Sequence, residues 1–77
     1  MTETDKLRVL IPHWIEHNTE HANEFRGWAE RAGEQAAELY AAAEALGSAN
    51  EILQSALEKL GGPLPNPYQG KESGALD

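Results

Sequence analysis

From Leu7 to Leu60 the chain reads LRVLIPHWIEHNTEHANEFRGWAERAGEQAAELYAAAEALGSANEILQSALEKL, and two stripes run through it. In the first half Leu7, Ile11, Trp14, Asn18, His21, Phe25, Trp28 and Ala32 recur at spacings that alternate four and three; in the second half Ala36, Leu39, Ala43, Leu46, Asn50, Leu53, Leu57 and Leu60 alternate three and four. A heptad repeat of this kind places its members on one face of an α-helix. Gly33 stands between the stripes, where a left-handed residue would end one helix. The stretch therefore predicts an all-α fold, an antiparallel helical hairpin with arms about 40 Å long at about 1.5 Å per residue.

With the turn near Gly33, seam residues whose numbers sum to 67 or 68 face each other. This pairs Phe25 with Ala43, His21 with Leu46, Trp14 with Leu53, Ile11 with Leu57 and Leu7 with Leu60. It also sets Asn18 opposite Asn50, a polar layer in which each amide can satisfy the other and fix the register at some cost in stability.

Two features strain the two-arm picture. Pro12 removes a backbone hydrogen bond and clashes with the preceding turn, so the first arm is expected to kink there, or to begin with a short helix from about Thr4 to Ile11. Gly47-Ser48, with Ser48 and Glu51 forming a capping box, offers a three-helix alternative. The continuous second arm is preferred, because the heptad phase passes through Gly47 unbroken.

Outward from the hairpin the composition changes abruptly. Gly61 is placed to cap the second helix, Pro63, Pro65 and Pro67 prevent its resumption, and residues 61–77 read as a Pro/Gly-rich tail without regular structure, after a helical domain over 4–60. A docking reading of the tail makes Pro63 to Tyr68 a polyproline-type peptide anchored by Leu64 and Tyr68. The whole chain has 77 residues and no cysteine, with 13 acidic against six basic residues and a net charge of −7. Thiol chemistry and disulfides are excluded. The acidity disfavours nucleic acid and anionic membranes as partners, and the sequence shows neither a transmembrane run nor a signal peptide, so a cytoplasmic protein is expected.

All three histidines lie in one stripe, His13, His17 and His21, with Glu16, Glu20 and Glu24 interleaved at the same spacing. Side chains four apart on a helix are neighbours, so His13 with His17, or His17 with His21, can grip one divalent ion together with Glu20 or Glu24. His13 and His21 are about 12 Å apart along the axis and cannot easily share it. Nitrogen and oxygen donors without sulfur suit nickel, zinc, iron, manganese or copper, and spacing alone does not choose among them; the expectation favours nickel or zinc, with iron a further candidate. The plainer reading leaves His13 and His17 on or beside the polar face and packs His21 in the seam with Asn18.

Catalytic patterns are missing. No Glu is followed by His three positions later, as di-iron bundles require, and no phosphate-binding glycine loop or H-E-x-x-H is present. The expectation is a non-enzyme.

Trp14, Phe25 and Trp28 on the first stripe read as core, packed against the Ala- and Leu-rich second arm. Further apolar residues flank both seams, more than one partner helix can cover, so a homodimer forming a four-helix bundle is expected.

The residues Ile11-Pro12-His13-Trp14-Ile15-Glu16-His17-Asn18, then Glu20-His21-Ala22, Phe25 and Trp28-Ala29-Glu30, resemble an uncharacterised family of short bacterial and archaeal helical domains. That family carries an H-W-x-E-H-N-x-x-H signature, a Gly-containing turn, and a second Ala/Glu/Leu helix with a central Asn, matched here by Asn50. The resemblance spans about Leu7 to Gly62, and it implies an association with small nickel-binding accessory proteins of the CooT type, hence metal handling at His13, His17 and His21. This chain departs from the pattern in showing no companion domain and in carrying Gly47 within the second helix.

Two functions follow as expectations. One is storage, delivery or sensing of a divalent metal by an oligomer, with a metalloprotein or accessory protein as a further partner. The other is a metal-free structural or adaptor module that mediates protein–protein contacts.

Overall fold

The computed structural model describes residues 1–65, and within them the chain is an antiparallel pair of helices. Helix α1 spans Glu3–Ala29 and helix α2 spans Ala36–Leu60, with a 3-10 turn at Gly33–Gln35 between them. Tyr68, the second proposed tail anchor, lies outside the described residues.

Local chemistry sets the ends. The Asp5 N–H donates to Thr2 Oγ1 at 3.0 Å and the Thr2 N–H to Asp5 Oδ2 at 3.4 Å. This capping box satisfies donors that have no partner in the first helical turn. Gly33 takes φ 65° in the turn and Gly61 takes φ 115° after α2. The Gly61 N–H donates to the Glu58 carbonyl at 3.1 Å and the Gly62 N–H to the Leu57 carbonyl at 2.9 Å, the Schellman pattern that only a left-handed residue permits.

Neither helix is broken, as the preferred reading of the second arm required. α2 runs unbroken through Gly47-Ser48, so the three-helix alternative is wrong, and α1 runs unbroken through Pro12, so no separate first helix forms. Pro12 acts through the bond it cannot make. It has no N–H to offer the carbonyl of Arg8, four residues back. That carbonyl accepts from the Leu64 N–H at 3.2 Å. The Arg8 side chain completes the latch, Nε donating to the Gly62 carbonyl at 2.7 Å and Nη2 to the Gly61 carbonyl at 3.0 Å. The first residues of the expected tail, Gly61 to Leu64, are thereby tied to the first turns of α1.

The seam differs between the arms. All eight stripe residues of α2, from Ala36 to Leu60, are buried or half-buried, as the heptad reading requires. On α1 the covered row is Arg8, Ile11, Ile15, Asn18, Ala22, Phe25, Ala29 and Ala32, while Leu7, Trp14, His21 and Trp28 are exposed. Half of the expected row is thus displaced by one residue. Trp14 and Trp28, expected in the core, are 41% and 55% exposed, and the Arg31 guanidinium lies 4.4 Å over the Trp28 ring. Asn18 meets Asn50 across the seam, and the register set by that contact, in which opposed numbers sum to 68, aligns Arg8 with Leu60, Ile11 with Leu57, Ile15 with Leu53, Ala22 with Leu46, Phe25 with Ala43, Ala29 with Leu39 and Ala32 with Ala36.

Two physical reasons favour this rotation. Ala22 and Ala29 let the helix backbones approach, where indole rings at Trp14 and Trp28 would hold them apart; close-packed helices sit about 8–10 Å apart. Asn50 also finds more partners on this side. The Asn18 Nδ2 donates to Asn50 Oδ1 at 3.0 Å, and Asn50 Nδ2 donates to the Ile15 carbonyl at 3.3 Å and Thr19 Oγ1 at 3.1 Å.

Candidate functional site

The histidines occupy the middle of α1, where an unbroken helix places residues four apart one turn from each other. The structure pairs two of the three. His13 and His17 bring their Nε2 atoms to 3.0 Å, with ring centroids 4.5 Å apart and planes tilted by 53°. At that separation one ring donates its Nε2–H to the lone pair of the other, and the tautomers decide which. His13 is the one buried polar side chain among the described residues, at 8% exposure, and His17 is half-buried. The plainer sequence reading sets both on or beside the polar face and does not anticipate the burial of His13.

His21 turns away from this pair. Its ring centroid is 6.5 Å from that of His17, it stacks on Phe25 at 6.5 Å, and its Nδ1 approaches Glu24 Oε1 at 3.6 Å. It is exposed rather than packed in the seam, as are Glu20 and Glu24. An exposed pair of this sort contributes little to stability. The five candidate ligands therefore separate into a His13–His17 pair and a His21–Glu24 pair, with Glu20 in neither. Among the described residues no group of three His, Asp or Glu side chains is placed to hold a metal ion.

The polar layer is more extensive than the sequence suggested. Asn18 and Asn50 meet as expected, and Thr19 joins them; its hydroxyl donates to the Ile15 carbonyl at 2.9 Å and accepts from Asn50. No buried side-chain nitrogen or oxygen among the described residues lacks a partner. Thr19 left no sequence signal of its own. Arg8 did: a proline inside a helix frees the carbonyl four residues earlier, and the register puts residue 8 beside the end of α2.

With the geometry in place, the comparisons with known proteins add one finding. Residues 7–60 match the family described as Domain of unknown function (DUF8180). The chain belongs to that family. The matched span takes in both arms, the turn, all three histidines and both asparagines, and it ends at Leu60, so the Gly61 to Leu64 part of the latch lies beyond it. No curated protein and no solved structure matches the chain. Among the described residues no helix is long and apolar enough to cross a membrane.

Proposed function

We propose that this hairpin binds a divalent transition metal, nickel or zinc, through His13 and His17, and serves in its storage, delivery or sensing rather than in catalysis. The observation that carries the reading is the 3.0 Å separation of the two Nε2 atoms. Two cis ligands at the usual metal–nitrogen distance of about 2.0–2.1 Å lie about 3 Å apart, so the two nitrogens already stand at the separation of ligands to one ion, which both can hold once the donating ring carries its proton on Nδ1. The helix supplies both donors from one face, and burial of His13 restricts its motion. Remaining positions would be filled by water or by donors from another molecule, as in sites that take up and release their ion. The CooT-type association implied by the sequence resemblance points the same way, and favours nickel.

The adaptor alternative rests on the same contact: two neutral imidazoles that bond to each other already satisfy the site without an ion. Calorimetric titration with nickel, zinc, copper and ferrous ions separates the two. Binding tighter than about 1 mM that is lost in His17→Ala and in His13→Ala, but kept in His21→Ala, is the expected result. Because protons compete with a metal ion for imidazole nitrogen, binding should weaken on acidification. No binding in that range, or binding indifferent to His13 and His17, rejects the metal reading.

A further inference from the structure

The described hairpin measures 47 by 27 by 13 Å, one helix deep, whereas stable domains enclose a core between at least two packed layers. No large side chain among the described residues is completely enclosed, and the chain has no cysteine with which to staple so small a core. One side of the slab is composed differently from the rest. Leu7, Trp14, His21 and Trp28 on α1 each stand one residue before a seam position, and so do Ala42, Ala49 and Ala56 on α2. In an antiparallel pair these positions flank the seam on the same side, so the seven residues form one face. All seven are exposed or half-buried.

We propose that a second copy of this chain packs on this face, making a two-fold symmetric four-helix bundle in which the α1 row of each copy lies against the α2 row of the other. Three features argue for a copy rather than another occupant. The face complements itself: bulky Leu7, Trp14 and Trp28 are matched by three alanines on the other helix of the same chain, and a two-fold axis brings bulky row onto small row twice over. None of the seven residues itself carries a carboxylate or a permanent cation, and the charge that lies over one of them, Arg31 on Trp28, is opposite in sign to the net −7 that would repel a copy at the chain's acidic surfaces. The broad side of the slab, 47 by 27 Å in extent, also exceeds the about 800 Å² that a standard interface takes from each partner.

The arrangement accounts for the displaced stripe as well. A helix in such a bundle has one neighbour in its own hairpin and one in the other copy, and the bundle core lies between those two directions. On α1 that intermediate direction carries Leu7, Ile11, Trp14, Asn18, His21, Phe25 and Trp28, the row that stood out in the sequence. On α2 it carries Leu39, Ala42, Leu46, Ala49, Leu53, Ala56 and Leu60, an unbroken alternation of Leu and Ala.

The proposal is independent of metal binding, and its test needs no metal. Both tryptophans of the chain sit on the proposed face, so sedimentation equilibrium and tryptophan emission of the full chain, in the presence of a chelator, should change together. At micromolar concentration and above, the mass should be twice the 8.4 kDa of one chain, with emission shifted to the blue and shielded from acrylamide. Dilution should halve the mass as the emission moves to the red. Ala49→Glu should give single chains at concentrations where the wild type is paired, whether or not they keep their helix, while Ala41→Glu on an exposed position outside the face should leave the mass doubled. A folded single chain at every concentration would overturn the proposal. So would a pair whose tryptophans stay open to the quencher, or one that Ala49→Glu leaves intact.

Discussion

The two arms were equally periodic in sequence, yet α2 packs on the face its stripe marks and α1 packs on one rotated away from it. The difference lies in what stands beside each stripe. On α2 the leucines at Leu39, Leu46, Leu53 and Leu60 are surrounded by alanines, so one row is plainly the heaviest. On α1 the large residues Trp14 and Trp28 adjoin Ile15, Ala22 and Ala29, and two overlapping heptads share Ile11, Asn18, Phe25 and Ala32. A helix with apolar residues on two adjoining faces has two seams available, and hydrophobicity alone does not rank them. Backbone approach does: small residues go between close helices, and large ones are left outward.

The sharpest test of that contrast compares a seam residue with a displaced one. Ile11→Ala and Leu57→Ala remove opposed, almost wholly buried side chains and should each cost about 2–5 kcal/mol in chemical unfolding. Trp14→Ala should cost a single chain less than Ile11→Ala, measured at concentrations below any self-association. The reverse order would return Trp14 to the seam.

Next in size is Pro12→Ala. Proline inside a helix costs up to about 3 kcal/mol, and here the Leu64 N–H offsets part of that loss. The substitution should stabilise the chain by less than that full amount. It should also expose the Leu64 amide to hydrogen exchange, because the restored N–H of residue 12 competes for the Arg8 carbonyl. A Leu64 amide that stays protected would show that the Arg8 carbonyl accepts from both N–H groups at once.

The polar layer tests the arms against each other. Asn50→Ala removes three hydrogen bonds and Asn18→Ala removes one, so the α2 variant should lose more stability, about 1–3 kcal/mol. Equal losses would mean that the Ile15 and Thr19 contacts contribute nothing.

The smallest effect belongs to Gly47. A methyl group there meets nothing within 4 Å, and the backbone is helical, so Gly47→Ala should stabilise by about 0.5–1 kcal/mol. Gly61→Ala should do the opposite, since φ is 115° and the Arg8 guanidinium lies 3.2 Å from the added carbon.

Much of the fold was legible. The heptads, Gly33 and the Gly61 cap define two helices and their turn, and the paired asparagines fix which residues stand opposite. The uniform sum of 68 in the observed seam was also present in the sequence. The expected rows alternated between 67 and 68, a mismatch that already favoured Arg8, Ile15, Ala22 and Ala29. The candidate site was legible only as a stripe, because equal spacing makes His13–His17 and His17–His21 equivalent on paper.

By itself, then, the sequence determined helix, turn, register and the absence of thiol chemistry, because these depend on local conformational preference and on residue type. The tertiary structure decided three things: which of two heptads on α1 meets α2, which histidines meet, and that the carbonyl orphaned by Pro12 receives the chain after Gly62. Each depends on distances between groups remote in sequence, or on the choice of one side-chain rotamer over another. Side-chain volume at the helix contact and the need to satisfy every buried polar group settle them, and neither can be evaluated until the backbones are in place.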